Sequence, residues 1–231
     1  MSRSQRLAIT RRQRLTASGD RENEEQSLDF ASGGPVYAVV ISNEAKQHMN
    51  SDFITTVTSI LDQHGDREYN GLGLSVLEHM LQSALEAETA HAEAHEVVAT
   101  LLHDIGHFVV EFPSDMKNIK DTGHDKAGAA ILEPFFGPEI VEPIRLHVRA
   151  KRYLCTAEPS YYDKMTKPVK HTFWLQGGKM SGAEVKKFKA LPFAKAATRL
   201  RRWCDLGMKP GRKTKSFEEY YSLIRSVLKE E

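Results

Sequence analysis

His103 and Asp104 stand side by side at the end of the apolar run Val97–Leu102, and His107 follows His103 by one helical turn. Successive helical residues are ~100° apart, so adjacent His and Asp cannot share one face. A cation near the helix end can still reach both, above all if a second ion shares the carboxylate. Residues four apart look to the same side, which groups His107 with His103. Gly106 removes a side chain between them and allows a close approach to the backbone. Taken alone, these residues also describe a helix C-terminus, where His suits the dipole and Gly ends the helix. Other side chains shift the balance toward a metal. His79, His124 and His147 lie within or at the ends of helical stretches, and Asp205 closes a later one.

The candidate ligands are therefore His79, His103, Asp104, His124, His147 and Asp205. Four His and two Asp exceed what one tetrahedral ion takes. They fit two ions with Asp104 between them. Ten histidines against two cysteines point to imidazole and carboxylate ligation, which suits iron, manganese or zinc. His91 and His95 sit in an Ala/Glu-rich helix and read as solvent-facing. His48, His64 and His171 have no supporting neighbours. His124 alone would read as a helix-start residue and gains weight from the set.

The elements that must position these groups are helical. A chain of 231 residues, 40% hydrophobic and 27% charged, suits one globular domain with a tail. The net charge of +1 argues neither for nucleic acid nor for a membrane surface as partner. No apolar run approaches the ~20 residues of a membrane span. Two cysteines make no disulfide framework, and a reducing, cytoplasmic setting is the simpler reading. Residues 1–41 read as an N-terminal extension, poorly ordered, and 42–231 as the folded domain. The extension is Arg- and Ser-rich with no acid before Asp20, a transit-peptide composition, or else an unstructured extension or an upstream start. Val36–Ile41 is the best strand signal. Helical spacing predicts helices over 52–61, 74–87, 92–103, 124–136, 138–152, 183–188, 192–206 and 217–228. The expected fold is all-α, a compact multi-helix bundle with ligands projecting inward.

The order His…His-Asp…His…His…Asp resembles the HD-domain superfamily in its two-metal variant, most members of which are phosphohydrolases. A narrower resemblance rests on Tyr69 ten residues before His79, Leu77-Glu78-His79 and Leu102-His103-Asp104-Ile105-Gly106-His107. It continues through His147-Val148-Arg149-Ala150-Lys151-Arg152-Tyr153-Leu154-Cys155, Leu175-Gln176-Gly177-Gly178-Lys179-Met180-Ser181 and Leu200-Arg201-Arg202-Trp203-Cys204-Asp205. These stretches are similar to the mixed-valent diiron oxygenases that cleave the carbon–phosphorus bond of 1-hydroxyalkylphosphonates. The resemblance implies two irons, one ferrous and one ferric, held by the six candidate ligands with Asp104 bridging. It implies that Tyr69 occupies an iron position at rest and leaves when substrate arrives. It implies a small phosphonate and O2 as partners, with C1 leaving as a carboxylate and phosphorus as phosphate. For the phosphonate it implies His107, Lys151, Thr172 and Arg202. Lys151 lies four after His147 and Arg202 three before Asp205, spacings that aim both at the metal cavity. Arg152 and Arg201 read as solvated surface.

Two positions depart from that family. Members acting on 2-amino-1-hydroxyethylphosphonate carry Glu three residues after the tyrosine, where this chain has Leu72. Val169 stands where a hydroxyl donor is expected. An ammonium buried against Leu lacks its counter-charge, at a cost of several kcal/mol. The sequence therefore favours hydroxymethylphosphonate, converted to formate and phosphate. The alternatives are the aminoethyl compound or an N-methylated analogue, an HD-type metal-dependent phosphohydrolase, and a silent metal-binding module. Neither the oligomeric state nor any redox partner is legible.

Overall fold

The computed structural model describes residues 53–69, 71–108 and 123–229. The expected extension over 1–41, its strand and the domain start at 42 lie outside the described residues. Among the described residues the fold is all-α, as the periodicity predicts. Extended pairing is confined to an isolated antiparallel bridge between Glu68 and Ser75. No described helix is long and apolar enough to cross a membrane.

Helix α1 (Phe53–His64) buries Phe53, Val57 and Leu61, one residue per turn. The Phe53 ring packs 4.6 Å from Phe135 and 5.2 Å from Phe136. A turn stitched by Tyr69 N–H to Leu74 O and Val76 N–H to Arg67 O leads into α2 (Val76–Thr89). Ser75 and Glu78 form a reciprocal capping box there, worth ~1 kcal/mol, and fix the helix start at Val76, three residues before His79. In α3 (Ala94–Leu102) every residue from Val97 to Leu102 is buried, so the helix is wrapped on all sides. It gives way to a 3-10 turn, Ile105–Phe108. Next come α4 (His124–Leu132) and α5 (Pro138–Ala157), which opens on proline, a residue suited to a first helical position. The chain continues through α6 (Pro159–Asp163), α7 (Lys167–Leu175), α8 (Gly182–Lys189) and α9 (Ala194–Leu206), then a short 3-10 turn into α10 (Tyr221–Arg225).

The central pair is α5 and α9. Helices α3 and α4 lie on α5, and α2 packs against α3 and α9. A main apolar cluster joins α1 to α5 with Leu200, Trp203, Tyr220 and Ile224. A smaller one, from Leu146 to Ala197, fills the space between α5, α8 and α9.

Several helix bounds differ from the spacing-based ones. Helix α4 ends at Leu132, because Phe135 and Phe136 turn inward onto Phe53. Helix α5 runs on to Ala157, and α6 and α7 occupy a segment where spacing predicts none; each has proline at its start. The expected helix over 217–228 is a 3-10 turn followed by one short helix.

Gly106 is where α4 meets the 3-10 turn. A Cβ there would overlap the carbonyl of His124 and the backbone nitrogen of Gly128. Backbone cannot swing aside as a side chain can. Gly106→Ala is expected to cost ~1–3 kcal/mol or more and to lower metal content by displacing His124. A thermal melt with metal analysis checks this, and wild-type values in both would overturn it.

Candidate metal centre

Five imidazoles converge on one buried carboxylate. Helix α2 supplies His79, the end of α3 supplies His103 and Asp104, the 3-10 turn His107, the start of α4 His124, and α5 His147. All six side chains are buried, with His79, His103 and His147 wholly so. The two Asp104 oxygens face different rings. Oδ2 lies 3.4 Å from Nε2 of both His79 and His103. Oδ1 lies 3.6–3.7 Å from Nε2 of His107, His124 and His147.

The tautomers follow from the backbone. Nδ1 of His79 donates to Gly207 O at 2.9 Å, that of His103 to Thr100 O at 2.7 Å and that of His147 to Ile144 O at 2.7 Å. A neutral ring has one N–H, so Nε2 carries a lone pair in all three. Yet His79 and His103 face each other Nε2 to Nε2 at 3.2 Å, and His124 and His147 do so at 3.0 Å. The lone pairs of His79 and His103 repel at that distance unless a cation lies between them. Such separations are those of atoms sharing one ion at ~2.1 Å. Burial pushes His79 and His147 down to about 3, and burial with the His107 ring holds His124 well below its usual value. Burial works to raise Asp104, but the rings of His103, His107, His124 and His79 outweigh it and hold the carboxyl well below the usual range. The centre is thus a buried carboxylate ringed by nitrogen donors, those of His79, His124 and His147 kept neutral by burial, and the chemistry of that set fits divalent or trivalent metal.

Tyr69 is buried against this centre. Its ring stacks on His79 at 4.2 Å and meets His107 edge-on at 6.1 Å. Burial and the adjacent Asp104 raise its phenol well above the usual value. His107 in turn stacks on His124 at 4.0 Å. Leu72 sits on the turn that carries Tyr69, partly buried against the main core.

Beside the centre, on the next turn of α5 after His147, Lys151 is buried. Its ammonium donates to Thr172 Oγ1 at 2.7 Å and to Gln176 Oε1 at 3.2 Å. Burial, then Arg201, lowers its pKa to about 7.

The last helix departs from the expectation. Asp205 stands apart from the five imidazoles, held by Arg201 and by the hydroxyl of Tyr161. Arg202 does not point at the cavity. It is nearly half exposed, pairs with Glu158 at 2.5 Å and lies over the Tyr161 ring. Arg201, by contrast, is buried, and Arg152 is tied down by three hydrogen bonds, so neither is solvated surface. The reason is helical phase. Ala197, Leu200 and Cys204 form the inward stripe of α9, with Arg201 beside them. Arg202 and Asp205 come ~100° later, on the shoulder. The same phase brings Cys204 Sγ to 3.5 Å from His79 Nε2, where it groups with His79 and His103 as a possible donor. Tyr161, Arg201, Gln176 and Cys204 are site residues that spacing did not reveal. Arg201, Gln176 and Cys204 lay inside the quoted motifs, whereas Tyr161 carried no signal.

Residues 76–173, from α2 through most of α7, match the HD domain family. The chain is 38% identical over 177 residues to hydroxymethylphosphonate dioxygenase from Gimesia maris, covering 76% of this chain and 88% of that protein. It is 35% identical over 178 residues to 1-hydroxy-2-(trimethylamino)ethylphosphonate dioxygenase (glycine-betaine-forming) from Leisingera caerulea, covering 77% and 91%. Relatedness at this level and over this length leaves one assignment: the chain belongs to the HD-domain oxygenases that cleave carbon–phosphorus bonds.

Proposed function

We propose that this protein converts hydroxymethylphosphonate and O2 to formate and phosphate at a pair of irons. The observation that carries the reading is Asp104, whose two oxygens face separate sets of imidazoles, as a carboxylate shared by two ions requires. His79, His103, Asp104, His124 and His147 would hold the irons. Asp205 joins them in this reading by giving up Arg201 and Tyr161. Bound there, the irons supply activation of O2 and oxidation at C1. The reaction balances without an external reductant, since both atoms of one O2 end in the two products.

The chain's own residues bind, orient and exclude water. Lys151 and Thr172 take the phosphonate oxygens, as a charge and a hydroxyl donor beside the centre. In this reading His107 adds a donor from above His124, and Arg202 reaches the anion only after leaving Glu158. Tyr69 covers the centre at rest and shields it from solvent. The choice of substrate rests on Leu72. Leu offers apolar volume and no charge, so a compound without a tail loses nothing there. An ammonium tail must shed water and gains no partner.

The test compares phosphate release from hydroxymethylphosphonate and 2-amino-1-hydroxyethylphosphonate in iron-loaded wild type and Leu72→Glu. Wild type is expected to show the higher kcat/KM with the hydroxymethyl compound, and Leu72→Glu to move preference toward the amine. Wild-type preference for the amine would overturn the substrate and leave the oxygenase. Release from phosphate esters but from neither phosphonate would replace the oxygenase reaction with hydrolysis.

A further inference from the structure

Helix α9 turns a sulfur toward the centre. Cys204 is wholly buried on the inward stripe of that helix. Its Sγ lies 3.5 Å from Nε2 of His79 and within 4.8 Å of a ring nitrogen of His103. Those two rings face each other Nε2 to Nε2 at 3.2 Å, and the Nδ1 bonds to Gly207 O and Thr100 O leave a lone pair on each side of the gap. Oδ2 of Asp104 looks into the same gap, 3.4 Å from each nitrogen. That oxygen is buried and has no hydrogen-bond partner among the described residues. Two facing nitrogens and an unpartnered carboxylate oxygen mark a cation position, and the thiol is its sulfur neighbour.

Burial ordinarily makes a thiol inert, because oxidants dissolved in water do not reach it. Cys204 is closed to solvent yet borders a centre that handles O2. The other cysteine of the chain supplies the contrast. Cys155 is also buried, but its Sγ faces the sulfur of Met165 at 3.7 Å. The two thiols are alike in burial and differ in what they border.

The oxidation open to Cys204 matches the substrate reaction in electrons. Conversion of hydroxymethylphosphonate to formate and phosphate passes four electrons to one O2. A thiol that becomes a sulfinic acid does the same. The S–H and O–O bonds break, two S–O bonds form, and the proton leaves with the sulfinate or passes to a neighbouring base. Sulfur loses four electrons and O2 gains them, so no reductant and no second oxidant enters.

We propose that Cys204 is the residue on which this oxygenase modifies itself: when no phosphonate is bound, O2 admitted to the centre slowly converts its sulfur to a sulfinic acid that disables the protein. The proposal rests on the iron centre of the reading above. A sulfinate there sets an anionic oxygen donor beside the nitrogens of His79 and His103, and ordinary thiol reductants do not reverse it. Phosphonate protects by offering C1 to the same O2.

The test incubates full-length, iron-loaded protein in air without phosphonate and reads the peptide that carries Cys204 by mass spectrometry. Wild type is expected to gain two oxygen atoms on Cys204, both from the gas when heavy-isotope O2 is used, in step with its loss of turnover. A thiol reductant should restore neither. Cys155 should stay unmodified in the same sample. Zinc-loaded protein, whose metal has no redox chemistry, and iron-loaded protein kept without O2 should show no gain. Saturating hydroxymethylphosphonate should slow it. Cys204→Ala and Cys204→Ser, each compared with its own starting rate, should hold their turnover over the time in which wild type loses most of it. An unmodified Cys204 in wild type after turnover has decayed in air would overturn the proposal. So would equal oxidation of Cys155, or oxidation in the zinc-loaded protein, since both mark an oxidant in solution. Mass keeps this readout apart from the parent reading. Iron-loaded protein that oxidises Cys204 but releases no phosphate from phosphonates sinks the substrate and keeps the proposal, and phosphate release that decays with Cys204 intact does the reverse.

Discussion

Asp104→Ala is expected to lose both metals and all turnover. Its carboxylate lies between both imidazole groups, His79 with His103 at one oxygen and His107 with His124 and His147 at the other. Remove it and each group keeps its ring nitrogens but no carboxylate to balance a cation in a buried site. Asp104→Asn is the control for shape. It retains the volume, removes the charge and halves the oxygen donors, so it too should fall well below two irons per chain while the protein stays folded. Iron per chain on purified protein, with circular dichroism for fold, is the measurement. Retention of two irons in Asp104→Ala would remove the carboxylate from the centre and with it the shared-ion arrangement.

Lys151→Met separates anion recognition from metal binding. The ammonium is buried beside the centre, so a phosphonate that arrives there meets a charge already stripped of water. Loss of one member of such a pair costs ~2–5 kcal/mol, roughly 30-fold or more in affinity. Iron content should stay at the wild-type level, and loss of iron would make Lys151 structural instead. Its pKa adds a signature. Burial brings the group from 10.5 down to about 7, so in the free protein the ammonium is lost as pH rises through neutrality. Affinity for the dianion should fall over that range in wild type. Because the ligand itself titrates, the difference between wild type and Lys151→Met is the quantity to plot. Stability runs the other way. Between about 7 and 10.5 the unfolded chain holds the proton that the folded chain has released, so folding stability from this group rises with pH across that window. Below it the folded state bears the full cost of a buried ammonium. Lys151→Met should therefore melt higher than wild type at pH 6. A lower melting temperature would show that the hydrogen bonds to Thr172 and Gln176 outweigh the cost of burial.

The sequence by itself determined the class of the fold and much of the centre. Apolar residues at helical spacing had to be buried, and burying them gave α1, α2, α3, α5 and α9 near their expected places. His79, His103, Asp104, His124 and His147 were legible because each is a ligand type at a helix end or on an inward face, where local periodicity fixes direction. Gly106 was legible as a point of close approach, though not what would approach it. Tertiary structure decided what local spacing could not. Which face of α9 turns inward depends on the packing of Ala197, Leu200 and Cys204 against neighbouring helices, and that phase put Arg201 and Cys204 inside and left Arg202 and Asp205 on the shoulder. Three residues from Asp205 defined a face but not which way it pointed. The α6–α7 segment was hidden for a related reason. Its helices are short, begin at prolines and bury few residues, so they owe their existence to α5 and to the Gly177–Gly178 turn rather than to a periodic pattern of their own. Sequence names side chains and their spacing along a helix. Only the packed partners set the rotation of that helix, and with it which of two adjacent residues meets the substrate.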